Sequence, residues 1–275
     1  MKYLQIERKC GAVIEVTRCI PKENRKTIPK ERRRKKTPED IKKANDQQAK
    51  EKIIRKINTN FQPGDIFAVL TYDQKERPSP EQAKKELQKF LARLRRYYRK
   101  DGAELKFVCV TEYENKAIHH HIIINNMHSV NGSGSEYISK CWKHENGHGV
   151  VRFRSLSEDG FYAKLGEYIL KETEGSEDRR QKNEQRYTCS RNLKKPKEKR
   201  IRKSIKADQW TGEPKAKDGY HIITDYIYNG FDRFGFPYMH YYMVKDKPTD
   251  ADWENIKPEQ MRKRRRKKRK KTGCG

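Results

Sequence analysis

Two β-prone segments, ELKFVCVTEY (104–113) and AIHHHIIIN (117–125), are separated by only three residues. A connection of this length makes a β-hairpin the natural arrangement. If the turn centres on the Asn-Lys pair at its tip, residues whose numbers sum to 231 face each other. The register then places Glu112 directly opposite His119.

Three consecutive histidines open the second strand of this hairpin. Side chains alternate between the faces of a strand, so His119 and His121 point one way and His120 the other. Two imidazoles about 6 to 7 Å apart on one face can share a divalent ion, and Glu112 can complete the site. Two histidines and a carboxylate suit Mg²⁺ or Mn²⁺ acting on a phosphate. The alternatives are polar surface histidines, an exposed Glu112 and a register shifted by one residue.

The rest of the chain reads as an alternation of strands and helices. From 65 to 173 the predicted order is β, α, β, β, α, β, α. Residues 174–218 are mostly polar and basic, and we predict a mobile excursion there. The predicted elements are a strand pair in 3–20, a helix at 37–59, a central strand at 65–73, helices at 79–102 and 135–149, a strand at 150–155, a helix at 159–173, and strands at 219–230 and 237–245.

The charge of the chain restricts its partners. Hydrophobic residues make up 33% and charged residues 38%, and the net charge is +28. Such an excess of cations attracts a polyanion, above all nucleic acid. Residues 262–271 are ten consecutive basic residues, expected to be disordered until a polyanion binds. With no apolar run of membrane-spanning length, no secretory signal and six cysteines without a C-x-x-C pair, we expect reduced thiols in the cytoplasm.

A second candidate group lies in the segment YILK, Tyr168 to Lys171. On a helix, Lys171 and Lys164 share a face with Tyr168. Neighbouring cations or a metal can stabilise the phenolate of a tyrosine and so make it a nucleophile. The alternative is an aromatic residue on an apolar stripe with Phe161 and Leu165.

The segments FAVLTY, HHH and YILK, in that order, resemble the three motifs of rolling-circle replication initiators of the HUH endonuclease superfamily. The likeness is greatest to phage and plasmid proteins related to the filamentous-phage gene II protein, and it covers roughly residues 64–200. It implies that His119 and His121 bind metal, that Tyr168 is the nucleophile and that Lys171 accompanies it. Some family members have two tyrosines one helical turn apart. Here the nearest second tyrosine, Tyr162, is six residues away.

The resemblance also implies a fold. We expect an α+β protein with a ferredoxin-like or RRM-like antiparallel sheet, helices packed on it, and basic extensions. The expected regions are an N-terminal strand pair and polar helix (1–60), an endonuclease core (61–200), a strand-rich extension (201–248) and a basic tail (249–275). The basic segment CSRNLKKPK (189–197) resembles one that follows the tyrosine helix in such proteins. The expected DNA-binding residues are Arg191, Lys194, Lys195 and Lys164.

The function implied is a metal-dependent enzyme that nicks and rejoins single-stranded origin DNA through a 5′-phosphotyrosine link. It would work in the cytoplasm of a bacterial host, away from membranes. The sequence has no GxxxxGK[ST] loop, so we expect a host helicase and polymerase as partners. A transposase or relaxase with similar motifs is one alternative. Another is a non-catalytic basic nucleic-acid-binding module, in which Tyr97, Tyr98, Tyr241 and Tyr242 stack on bases.

Overall fold

The computed structural model describes residues 2–21, 23–24, 37–73, 75–113, 118–145, 149–171, 186–204, 213–232 and 234–253. The basic run 262–271 and the hairpin turn 114–117 lie outside the described residues. The helices are α1 (Pro38–Asn60), α2 (Pro80–Lys100), α3 (Gly134–Glu145) and α4 (Ala163–Lys171). The strands are β1 (Lys2–Cys10), β2 (Val13–Cys19), β3 (Ile66–Thr71), β4 (Phe107–Glu112), β5 (His119–Ile124), β6 (His128–Ser129), β7 (Gly132–Ser133), β8 (Val151–Ser155), β9 (Thr188–Cys189), β10 (Lys197–Ser204), β11 (Tyr220–Ile222), β12 (Tyr228–Phe231) and β13 (Pro237–Lys245).

Five antiparallel strands form the sheet that carries the histidines, here called the core sheet. Its strand order is β8-β3-β5-β4-β9. In chain order, β3-α2-β4-β5-α3-β8 is a βαββαβ unit whose strands lie in the order 4-1-3-2. This is the ferredoxin-like topology. The prediction of an α+β fold with a ferredoxin-like antiparallel sheet is confirmed.

Helices α2 and α3 cover one face of the core sheet. Helix α2 begins after Ser79, whose side chain caps it by accepting a hydrogen bond from the Gln82 backbone N–H, and Pro80 occupies its first turn. Its apolar stripe and Trp142 of α3 are buried against the sheet. The buried positions of that stripe are Leu87, Phe90, Leu91, Leu94 and Tyr98, all on the predicted apolar side of the helix.

A second antiparallel sheet joins strands from both ends of the described chain. Its order is β10-β1-β2-β13-β11, with β12 also paired to β13. The prediction of a mobile excursion over 174–218 was wrong for 188–189 and 197–204, which form β9 and β10. Strand β10 has the sequence KEKRIRKS and is held by its backbone pairing with β1, so it shows no apolar alternation that a sequence reading could detect.

Helix α1 lies between the two sheets. It starts with a capping box, in which Thr37 and Asp40 each accept a hydrogen bond from the backbone of the other. Its residues Ile53 and Ile57 share a core with Phe67 of β3 and with Tyr242 of the second sheet. The open face of the core sheet is therefore roofed by α1 and α4. None of the helices in the described ranges is long and apolar enough to cross a membrane.

Candidate active site

The hairpin register agrees with the sequence. Strands β4 and β5 pair so that Glu112 faces His119 and Val110 faces His121. His119 and His121 line a cleft on the face roofed by α4, together with Glu112. The predicted register and the predicted facing of these side chains are both confirmed.

Glu112 lies between the two histidines. Its Oε2 atom is 3.0 Å from Nε2 of His121 and 3.5 Å from Nδ1 of His119. Burial lowers the pKa of His121, and the hydrogen bond with Glu112 opposes that shift only in part. A neutral imidazole keeps a lone pair for a metal. Two imidazole nitrogens and one carboxylate oxygen therefore form a donor set that fits a divalent ion such as Mn²⁺.

His120 points to the opposite face of the sheet, as predicted. Its Nε2 atom is 2.8 Å from the hydroxyl of Tyr72, and its Nδ1 atom is 2.9 Å from the hydroxyl of Thr111. The ring also meets Trp142 edge-on. Complete burial lowers the pKa of His120 to about 3. His120 is thus a neutral part of the core beneath α2 and α3.

Tyr168 faces the histidines from helix α4. Its ring stands edge-on to His121, with centroids 5.6 Å apart, and edge-on to Phe67 at 6.3 Å. Its side chain is 43% exposed, so its oxygen is within reach of a ligand in the cleft. Helix α4 sits close to α1 because Gly166 carries no side chain. A Cβ there would lie 2.8 Å from Cγ1 of Ile54.

The predicted helix around Tyr168 begins later than expected, at residue 163. Tyr162 precedes its first residue, is buried, and donates a hydrogen bond to the Ser157 carbonyl at 3.4 Å. Burial raises the pKa of Tyr162, which opposes formation of a phenolate. Although Tyr162 also borders the cleft, Tyr168 is the more accessible of the two phenols.

The structure divides the predicted cations into two groups. Lys164 lines the cleft with Tyr168, whereas Lys171 is exposed at the end of α4 and is not among the cleft-lining residues. Arg191, Lys194 and Lys195 follow β9 and lie outside the cleft. Lys194 and Lys195 line a separate pocket of about 150 Å³. The structure therefore places a single predicted cation, Lys164, in the cleft.

Other charged residues of the cleft were missed by the sequence reading. Arg152 and Arg154 of β8 line it, and Arg152 pairs with Val69, which in turn pairs with His121. The segment VVRFRS did hold a signal, since its two arginines alternate and must share one face of a strand. The cleft has a volume of about 990 Å³.

One wall of the cleft comes from the second half of the chain. The turn at 224–226 contributes Asp225 and Tyr226, and Ile223 precedes it. The hydroxyl of Tyr226 donates a hydrogen bond to Glu167 at 3.1 Å, which fixes this turn to α4. Nothing in the local sequence pattern links this turn to the histidines.

A second group of potential metal ligands lies away from the cleft. In the described part of the chain, Glu15, Glu51 and His240 hold ligand atoms that all lie within 4.8 Å of one another, so this buried group could hold a metal. Arg55, however, donates two hydrogen bonds to Glu15. Burial disfavours the charged form, yet the hydrogen bonds from Arg55 and His240 outweigh it and lower the pKa of Glu15 to about 2. We interpret this group as an ion-pair network that ties α1 to the second sheet.

Three of the tyrosines considered for base stacking are inaccessible. Tyr98, Tyr241 and Tyr242 are at most 2% exposed. Their ring faces are covered by protein and cannot stack on bases. The binding-module alternative therefore loses most of the aromatic surface on which it depended.

The fold and the cleft define a class of protein. It is an α+β protein with a ferredoxin-like core sheet, on which a histidine–carboxylate group faces an exposed tyrosine in a cleft bordered by arginines. Residues 65–174 match the sequence model of a family of replication-associated proteins, described by its members ORF2 and the phage gene II protein. This match is consistent with a replication initiator like the filamentous-phage gene II protein, and it indicates a replication-associated protein.

The matched segment runs from β3 through α4 and contains Glu112, His119, His121 and Tyr168. The turn at 224–226, which completes the cleft, lies outside it. Neither the search of curated proteins nor the search of solved structures returned a match.

Proposed function

We propose that the protein is a rolling-circle replication initiator, which nicks and rejoins single-stranded origin DNA through Tyr168. The observation that carries this proposal is the convergence of Tyr168, His121 and Glu112 in one cleft. The family match supports a role in replication. The basic chain supports a nucleic-acid partner.

The reaction is a transesterification. The phenol oxygen of Tyr168 forms a bond to the scissile phosphorus, and the bond from phosphorus to the 3′ oxygen breaks. The phenol gives up its proton to water, and the departing 3′ oxygen takes one up. Because the phosphodiester energy is kept in the tyrosine link, the 3′ hydroxyl can reverse the step and rejoin the strand without a nucleotide cofactor.

A divalent metal, Mg²⁺ or Mn²⁺, held by His119, His121 and Glu112 would polarise the phosphate as a Lewis acid. The chain's own groups supply the remaining electrostatics. Arg152 and Arg154 are placed to hold the phosphates of the strand in the cleft, and Lys164 lies on the same helix face as Tyr168 to favour its phenolate. Lys171 is the other cation that we propose near this tyrosine, at the outer end of the helix. The exposed rings of the cleft offer stacking surfaces for unpaired bases.

The decisive experiment is to look for a covalent adduct. Labelled single strands from the non-coding DNA beside the gene are incubated with the protein and Mn²⁺ and separated under denaturing conditions. Tyr168→Phe removes one oxygen and should eliminate the adduct while leaving strand binding intact. Tyr162→Phe is the matched control and should retain it.

Peptide mapping of the wild-type adduct should place the nucleotide on Tyr168. Mapping to Tyr162 would overturn the assigned nucleophile. The absence of an adduct with every strand from that region would favour a binding module without chemistry.

A further inference from the structure

Strand β10 presents a row of cations at the outer edge of the second sheet. Residues 191–203 hold eight Lys or Arg residues and one acidic residue, Glu198. Seven of the eight residues of β10 are exposed, and within the described ranges its only strand partner is β1. A strand of eight residues is about 26 Å long, close to the axial length of about eight base pairs of duplex DNA.

The cations of β10 divide between its two faces. Lys197, Lys199 and Lys203 alternate along one face, which we call the lysine face. On the other face, Arg200 is 2.5 Å from Glu198 and Arg202 is 2.8 Å from Glu23. These ion pairs reduce the charge available on the arginine side, so the lysine face is the better surface for a polyanion.

The lysine face continues beyond the strand. Lys197 pairs with Lys9 of β1, and both line the pocket that also contains Lys194 and Lys195. The loop carrying Lys194 is fixed by the buried side chain of Asn60, which donates to its carbonyl at 3.0 Å and accepts from its N–H at 2.6 Å. Asp252 also borders this pocket, but Lys245 lies 2.8 Å from it and offsets its charge. The surface is thus basic and preorganised.

This surface differs from the cleft in one chemical respect. The cleft carries Phe67, Phe161 and Tyr168 beside its cations, as expected where unpaired bases stack. Residues 190–204 contain no aromatic side chain. In the described structure, the basic pocket and the cleft share no lining residue. A surface with cations and no aromatic rings suits phosphates whose bases remain paired.

We propose that the lysine face of β10 binds the phosphates of duplex DNA, separately from the single strand held in the cleft. The proposal rests on the proposed function only in taking DNA as the ligand. It assigns the duplex next to the nicking site to this surface. The contact is to the backbone and reads no base sequence.

The test is a triple variant, Lys197→Glu with Lys199→Glu and Lys203→Glu, in the full chain. Its binding to a random-sequence duplex and to a single strand is measured by fluorescence anisotropy between about 50 and 300 mM salt. We expect at least a roughly tenfold loss of duplex affinity, and a fall of about 2 to 3 in the slope of log K against log salt. Single-strand affinity and adduct formation should change less than about twofold.

The matched control carries three charge reversals on α2, Lys84→Glu, Lys85→Glu and Lys89→Glu, all at exposed positions. It should retain the wild-type salt slope. An unchanged duplex slope in the β10 variant, or equal losses for duplex and single strand, would overturn the proposal. Adduct formation reports on the proposed function independently, so the two can fail separately.

Discussion

The phenol ring of Tyr168 and the imidazole of His121 meet edge-to-face, with centroids 5.6 Å apart and planes at 81°. Phe67 meets both rings, stacked on His121 and edge-on to Tyr168. These three side chains come from β3, β5 and α4, which share one hydrophobic core. The spacing of the proposed nucleophile and metal ligand is therefore fixed by packing.

The two faces of the histidine strand should respond differently to substitution. His121→Ala and His119→Ala each remove a proposed ligand and should abolish adduct formation with Mn²⁺. His120→Leu should retain it, because His120 lies on the other side of the sheet. This substitution would leave the hydroxyls of Tyr72 and Thr111 unpaired in the core, which costs about 1–3 kcal/mol of stability. Adduct assays and thermal melts on all three variants make the comparison. Equal loss of adduct would contradict the assignment of faces.

Metal affinity should distinguish the two groups of potential ligands. Glu112→Gln removes the charge that lies between His119 and His121 and should weaken Mn²⁺ binding at least roughly tenfold by calorimetry. Glu51→Gln alters the group around Glu15 by the same chemical change and should leave the isotherm unaltered. The reverse pattern would move the metal to the buried group at the second sheet.

The ion pair between Glu15 and Arg55 should make stability depend on pH. The carboxyl has a pKa near 4.5 when unfolded and about 2 when folded. Its contribution, of order ~3 kcal/mol, is present above pH 4.5 and is lost as the pH falls from 4.5 towards 2. Glu15→Gln should cost about 3–5 kcal/mol at neutral pH, because Arg55 loses its partner. The deficit relative to wild type should shrink at about pH 3 in urea melts. A deficit that is constant with pH would show that the pair is not the cause.

The arginines of β8 should govern binding of the single strand. Arg152→Gln with Arg154→Gln should weaken binding of an origin strand, and should lower its salt slope by about 0.7 for each phosphate that is no longer neutralised. Arg96→Gln with Arg99→Gln, on the exposed side of α2, is the control and should bind like wild type. Anisotropy titrations at several salt concentrations measure both. Identical slopes in the two double variants would remove these arginines from the DNA path.

Local sequence determined the core elements and half of the site. The three-residue connection and strand alternation were enough to predict that Glu112 faces His119 and that His120 points away, because a hairpin pairs neighbours along the chain. Helical periodicity likewise predicted the buried stripe of α2. These features depend on contacts between residues close in sequence, which the pattern of side chains encodes directly.

Tertiary structure decided the rest. Pairing of β10 with β1 joins residues almost 200 positions apart, and it relies on backbone hydrogen bonds that any side chain can accommodate. Arg152 reached the cleft because β8 pairs with β3, and Tyr226 did so because its turn bonds to Glu167 of α4. The sequence determined which face each residue takes on its own strand or helix. Strand order and the walls of the cleft depended on which distant surfaces could bury their apolar area together, a choice that local periodicity does not contain.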